Sequence, residues 1–117
     1  MSDSILRTSS KKFAKEIVFL CRKLKQVGVE AVLINQLMRC GTSVGANVHE
    51  AQYAQGTKDF VSKLEIALKE CNESEFWLEL LFETACITES EYRDFRKFCR
   101  DLRRMLVSSI TTVKNRM

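Results

Sequence analysis

The fold of this chain is restricted most by four long segments, each with apolar residues at helical spacing and separated from the next by only a few residues. Steps of three and four between the apolar positions place them on one face of a helix. The segments predict helices over about residues 9–27, 30–55, 57–85 and 89–114. Because helices this long with such short turns must fold back on one another, we predict one domain over residues 1–117, an all-α, up-down-up-down antiparallel four-helix bundle.

Local signals set the predicted helix ends. Ser9 or Ser10 can accept the free amide protons at the start of the first helix, and Gly28 suits its end. Thr88 and Glu91 have the spacing of a capping box, in which each side chain accepts a hydrogen bond from the other residue's backbone amide. The fourth helix is therefore expected to begin directly after Thr88.

The composition is typical of a helical globular protein. The chain has 117 residues, of which 45% are hydrophobic and 29% charged, with four glycines and no proline. A domain of this size can bury roughly two-thirds of the surface of its unfolded chain, so one core is enough. Its five cysteines lack a CxxC pair, which favours reduced core thiols over a disulfide framework or a zinc site.

Two glycines interrupt the second predicted helix. Gly41 and Gly45 lie four residues apart, so they share a face and leave a shallow groove there. A glycine inside a helix costs roughly 1 kcal/mol relative to alanine, so the pair needs a structural reason. We expect another backbone to pack closely against it.

Polar residues follow the glycines along an adjoining face. If the second and third helices pack through the glycine groove, this row can meet polar residues of the third helix. We predict that such a network fixes the helix register, and a ligand pocket or effector contact is the alternative. The network and its neighbouring aromatic residue comprise Arg39, Ser43, Asn47, Glu50, Glu65, Lys69, Glu73 and Trp77.

The third helix carries more apolar surface than one core requires. Six of its apolar residues lie off the main stripe, namely Val61, Ile66, Leu68, Phe76, Trp77 and Leu80. A surplus of this kind indicates an interface between subunits. We therefore expect a homo-oligomer.

The net charge of +4 is unevenly distributed, with basic ends and an acidic middle. The basic ends could attract a polyanion, or they could pair with helices of opposite sign within the bundle or between subunits. The candidate phosphate contacts are Lys11, Lys12, Lys15 and Arg22 on the first helix and Arg93, Arg96, Lys97, Arg100, Arg103 and Arg104 on the fourth. No aromatic residue interleaves them on the exposed side, so we expect recognition of backbone charge and shape without base-specific contacts.

Catalytic and metal-binding sites are not indicated. Di-iron bundles need Glu-x-x-His motifs, but His49 is the only histidine and Ala46 stands three residues before it. Ser43 and the cysteines have no base that would activate a nucleophile. We predict a non-enzyme without a cofactor. Because no apolar run approaches the roughly 18 residues of a membrane span, we also expect a cytoplasmic protein without membrane contact.

Two segments resemble a known family. QLMRCGTSVGANVHEA followed by DFVSKLEIALKECNESEFWLELL is similar to the bacterial four-helix-bundle proteins encoded in intervening sequences of 23S ribosomal RNA genes. The resemblance covers almost the whole chain and implies a homopentameric barrel. Similar proteins are accessory factors of retroelement reverse transcriptases, and their basic barrel is implied to bind nucleic acid and the enzyme. RNA, DNA and a reverse transcriptase are therefore the implied partners.

Two hypotheses follow for the function. The first is a homo-oligomeric helical scaffold that acts as an accessory factor associated with RNA or DNA. The alternative is a protein-interaction module whose basic faces only keep it soluble.

Overall fold

A computed structural model describes residues 2–117, with side-chain environments from residue 4 onward. Four helices fill this range: α1 Ser2–Gln26, α2 Ala31–Ala51, α3 Thr57–Glu83 and α4 Glu89–Lys114. The described residues contain no strand, which confirms the predicted all-α class.

Three of the predicted helix ends require correction. The first helix begins at Ser2 rather than near residue 9, because Ser10 lies inside it with its hydroxyl donating to the Arg7 carbonyl at 3.2 Å. The second ends at Ala51 rather than near residue 55, and residues 52–56 form the turn to α3. The third ends two residues early, at Glu83.

The helices are arranged in chain order around one core. Each helix packs against its neighbours in sequence, and α4 closes the bundle against α1. In the described part of the chain the diagonal pairs α1–α3 and α2–α4 make no backbone contact. The molecule measures 47 × 22 × 19 Å, as expected for four long helices side by side. This arrangement confirms the up-down-up-down bundle and places α1 and α3 at opposite corners.

The core is apolar and contains most of the thiols. Phe13 of α1 is fully buried and packs edge to face against two rings of α4. The centroid of its ring lies 5.2 Å from that of Phe98 and 6.4 Å from that of Phe95. All five cysteines are free and four of them are buried. Burial, with Cys40 close by, raises the pKa of Cys21 to about 11. The Cys21 thiol therefore stays protonated at neutral pH and behaves as a small apolar side chain.

The two glycines of α2 face α1, not α3 as predicted. A Cβ placed on Gly41 would lie 2.8 Å from both γ carbons of Ile17. A Cβ on Gly45 would lie 3.0 Å from the carbonyl oxygen of Ser10. The close backbone approach is therefore between α1 and α2, and the polar row turns towards α3 on another side of the helix.

The predicted capping box is present at the start of α4. The Thr88 hydroxyl accepts from the Glu91 amide at 3.0 Å, and the Glu91 carboxylate accepts from the Thr88 amide at 2.8 Å. Lys23, in the last turn of α1, donates to the same carboxylate at 2.6 Å. These contacts, with Lys23 first, lower the pKa of Glu91. The cap thus also fastens α4 to the end of α1.

Candidate nucleic-acid interface

The exposed side of α1 carries a row of cations. Its core side uses large apolar residues, and Arg7, Lys11, Lys15 and Arg22 occur at turn spacing on the opposite side. All four are exposed, and none forms an ion pair with a described side chain. We name these four residues the basic face of α1.

A groove lies between this face and α2. Its volume is about 540 Å³, and its lining is Ser4, Arg7, Thr8, Lys11, Ala14, Thr42, Gly45, Ala46 and His49. The small side chains of Ala14 and Ala46 and the absence of one at Gly45 make room for it. We name it the α1–α2 groove, and it combines cations and hydroxyl groups above a floor of small residues.

A second hollow continues along α1 from the first. It has a volume of about 340 Å³ and is lined by Lys11, Ala14, Lys15, Val18, Phe19 and Arg22. It shares Lys11 and Ala14 with the α1–α2 groove, so the two form one continuous track. Among the described residues, no acidic side chain lines either part.

Aromatic residues do accompany these cations, contrary to the prediction from sequence. Phe19 is 56% exposed in the second hollow. At the other end, His49 lines the α1–α2 groove and its ring lies 5.4 Å from that of Tyr53, which is 75% exposed. Phe19 belongs to α1 itself, whereas His49 comes from α2 and Tyr53 from the turn that follows it, so only Phe19 is a neighbour of these cations along the chain.

The predicted basic set on α4 is partly engaged in ion pairs. Arg103 binds Glu75 of α3 through both terminal nitrogens, one of them at 2.9 Å. Arg93 binds Glu89 at 2.9 Å within α4. These two residues are therefore removed from the candidate phosphate contacts, because their charges are already neutralised within the chain.

The other predicted cations remain exposed without an ion pair to a described side chain. On α4 they are Arg96, Lys97, Arg100 and Arg104, and on α1 Lys12 joins the basic face residues. Lys97 lies beside Asp94 and Asp101 in a hollow between α1 and α4. Of the free cations of α4, Lys97 thus has carboxylates near it, and the cations of the basic face of α1 line no hollow with a described acidic side chain.

The predicted polar network divides into separate contacts. Arg39 donates to Glu73, to Glu70 at 3.3 Å and to Gln36 at 3.2 Å. The Trp77 indole donates to Glu73 at 3.1 Å. The structure therefore brings Arg39, Glu73 and Trp77 together across α2 and α3.

The remaining members of that network lie elsewhere. Asn47 donates to the backbone carbonyl of Ser43 at 2.9 Å, within α2 itself. Glu50 pairs with Lys63 at 3.7 Å, and Glu65 receives a bond from Lys114 of α4 at 2.9 Å. Lys69 is exposed and forms no described ion pair. A continuous network is therefore absent from the described residues.

The apolar surplus of α3 is smaller than predicted. Val61 is buried and Leu68 packs against the core, so neither is available to a partner. Phe76 is 55% exposed and its ring meets Trp77 at 5.0 Å. The outer side of α3 still carries the exposed Ile66 and Phe76 and the half-buried Leu80, which we name the apolar face of α3.

Sequence reasoning missed Arg7, Thr8, His49 and Tyr53. Arg7 stands one turn before Lys11, but the first helix was predicted to begin after it. A helix extended towards the N-terminus would have shown the spacing. His49 and Tyr53 gave no signal of their own, because only the packing of α2 on α1 brings them beside the cations.

A metal-binding cluster and a membrane-spanning helix are both absent from the described residues. They contain no group of three or more His, Cys, Asp or Glu side chains that could hold a metal ion. They also include no helix with the length and apolar character needed to cross a membrane.

Comparison with known proteins identifies relatives of this chain. The model of the family described as 23S rRNA-intervening sequence protein matches residues 2–108. A crystal structure of a protein of unknown function from the S23 ribosomal protein family of Bacteroides thetaiotaomicron VPI-5482 is similar, with a TM-score of 0.92 and 42% sequence identity. The match covers 95% of this chain and 99% of that one. No curated protein matches the chain.

Proposed function

Because this chain belongs to the 23S rRNA-intervening sequence protein family, we propose that it is a non-enzymatic, homo-oligomeric scaffold that binds the phosphate backbone of RNA or DNA through the basic face of α1. One observation carries the proposal. Arg7, Lys11, Lys15 and Arg22 line a continuous track that contains no described acidic side chain. Cations free of internal partners can release the counterions of a nucleic acid on binding.

The basic face of α1 is a better phosphate surface than α4. Arg103 and Arg93 are already paired with carboxylates, and Lys114 binds Glu65. A phosphate that approached them would have to displace those partners. No described side chain would have to be displaced from the basic face of α1, so its charge is available to a phosphate.

Assembly would multiply the contacts of each subunit. The apolar face of α3 is the self-association surface of this proposal, because large apolar side chains remain exposed there. α1 lies at the opposite corner of the bundle, so association through α3 leaves the basic face of α1 open. The pentamer and a reverse transcriptase as partner rest on the family resemblance and are part of the proposal. Several weak phosphate surfaces on one ring bind one strand with combined affinity.

The test compares two double charge reversals that change the net charge equally. Lys15→Glu with Arg22→Glu alters the basic face of α1, and Arg96→Glu with Arg100→Glu alters exposed, unpaired residues of α4. Binding of a fluorescein-labelled single-stranded RNA is measured by anisotropy at low salt. We expect the α1 variant to lose affinity by roughly tenfold or more and the α4 variant to lose much less.

Because both variants have the same net charge, the comparison distinguishes binding at a specific surface from general electrostatic attraction between protein and RNA. Equal losses in the two variants would mean that only the net charge matters, which would contradict the assigned surface. No binding by the unaltered protein even at low salt, with the oligomer present, would favour the protein-interaction module instead. Circular dichroism establishes that both variants keep their helices.

A further inference from the structure

The α1–α2 groove has at one end the donors that a phosphate group requires. Arg7 and Lys11 are one turn apart on α1, which is about 6 Å along the helix axis. The Thr8 hydroxyl lies beside them and makes no hydrogen bond within the described residues. The Thr42 hydroxyl donates to the Met38 carbonyl at 2.7 Å, so towards the groove it can only accept. Two cations and one free hydroxyl therefore converge on this end.

The same end of the groove has, on its α2 side, an aromatic pair that the bundle core does not use, because α1 and α2 are antiparallel and Gly45 already meets Ser10. His49 lines the groove, and its ring is tilted by 54° against that of Tyr53, 5.4 Å away. Tyr53 is 75% exposed, although its backbone is held by a bond from its amide to the Glu50 carbonyl at 2.9 Å. A large, exposed aromatic side chain on an ordered turn, next to a ring that lines the groove, offers a flat surface on which a nucleobase can stack.

The floor between the α1 side and the α2 side of the groove suits a flat ligand. Ala14 and Ala46 contribute single methyl groups, and Gly45 contributes only backbone. The groove has room for about one nucleotide in its 540 Å³, since ligand pockets of roughly 300–1,000 Å³ hold small molecules of that size.

We propose that the α1–α2 groove binds one nucleotide of a single-stranded RNA or DNA, with its phosphate at Arg7 and Lys11 and its base stacked on the His49–Tyr53 pair. This inference rests on the proposed function and adds the class of strand. A base in a duplex is already stacked and paired, so its face is not available to Tyr53. The remainder of the strand follows the track over Lys15 and Arg22.

The experiment distinguishes binding of the bases from binding of the sugar–phosphate backbone. Two labelled probes are titrated into the full-length protein, an oligothymidine of about twelve nucleotides and a strand of equal length that lacks all bases. The variant is Tyr53→Ala, and Tyr53→Phe is its matched control because it keeps the ring. We expect the oligothymidine to bind the unaltered protein about tenfold more tightly than the abasic strand, in line with the effect of removing one stacking partner. Tyr53→Ala should abolish this difference, and Tyr53→Phe should retain it.

The possible results distinguish the site from the general function. Equal binding of both probes by the unaltered protein would overturn the nucleotide site and leave a charge-based surface. A preference for the oligothymidine that survives Tyr53→Ala would also overturn it, because the bases would then be bound elsewhere. If neither probe binds, the proposed function fails as well. The double variant Arg7→Gln with Lys11→Gln should bind both probes more weakly and to the same extent. Weaker binding of the oligothymidine alone would contradict the phosphate assignment.

Discussion

At the scale of single residues, the contact between Gly41 and Ile17 decides how closely α1 and α2 approach. Ile17 is fully buried, and its γ carbons occupy the space that a side chain at position 41 would need. A β-branched side chain has few rotamers on a helix, so Ile17 cannot move aside at small cost. The position therefore requires glycine in spite of its poor helix propensity.

Replacing Gly41 by alanine should destabilise the protein. Overpacking costs about 1–3 kcal/mol, and the better helix propensity of alanine returns about 1 kcal/mol, so we expect a net loss of up to about 2 kcal/mol. Urea unfolding measures the difference. In an Ile17→Ala background the same change should become neutral or stabilising, and an equal loss in both backgrounds would refute the steric explanation.

The capping carboxylate of Glu91 gives a second test at this scale, through pH. Lys23 and the Thr88 amide hold the pKa of Glu91 below its usual value of 4.5. Its charge therefore stabilises the fold above pH 4.5, and that contribution is lost as the pH falls through the lower pKa of the folded state. Glu91→Gln keeps the capping geometry but removes the charge.

We expect Glu91→Gln to lower the free energy of unfolding at pH 7 by up to about 1 kcal/mol, the range of exposed ion pairs. The difference between the two proteins should shrink as the pH falls below 4.5 and approach zero in strong acid. Urea titrations across this range measure it. A difference that stays constant with pH would contradict the role of the charge.

At the scale of helices, α4 pairs its cations with the acidic side of α3. Arg103 and Glu75 are each about two-thirds buried as side chains, and Lys114 reaches Glu65 further along. The pairing explains how a basic helix and an acidic helix can lie side by side. Cations of α4 are neutralised by carboxylates of α3, so less unpaired charge remains on the surface. Because of this pairing, the arginine-rich pattern of α4 indicates residues that stabilise the bundle as well as residues that could bind a ligand.

This division of labour predicts different effects of two similar substitutions on α4. Arg103→Ala leaves Glu75 without its partner in a partly buried position, and should cost about 1–2 kcal/mol of stability. Arg100 is exposed and forms no described ion pair, so Arg100→Ala should stay within about 0.5 kcal/mol. Thermal and urea unfolding of both variants measure this. Equal effects would contradict the structural role of Arg103.

The elements also show what the sequence could predict. The apolar spacing and short turns predicted four helices and their antiparallel order, because those depend on local pattern and chain connectivity. The side of α2 that the glycines occupy was predicted wrongly, because periodicity gives the face of a helix but not its neighbour. The ion pair of Arg103 and the position of His49 beside α1 depend on two helices at once, so no single helix pattern contains them.

At the scale of the whole molecule, the surfaces that we propose for binding and for assembly occupy opposite corners of the bundle. The apolar face of α3 points away from the basic face of α1, since the two helices are diagonal. We expect Phe76→Glu to dissociate the oligomer into monomers, because burying a charge in an apolar interface is costly. Light scattering gives the mass. Val27→Glu is the matched control, since Val27 is also an exposed apolar residue and directly follows α1, and loss of the oligomer in that control would contradict the assigned interface.

Lysine footprinting tests the central claim, the binding of nucleic acid to the basic face of α1, most directly. The unaltered protein is acetylated briefly with and without a single-stranded RNA, and mass spectrometry gives the rate at each lysine. We predict that RNA slows acetylation at Lys11 and Lys15 but leaves Lys97 on α4 and Lys58 on α3 unchanged. Protection of Lys97 with Lys11 and Lys15 unchanged would contradict the claim, and so would the absence of any protection at an RNA concentration that saturates the anisotropy signal.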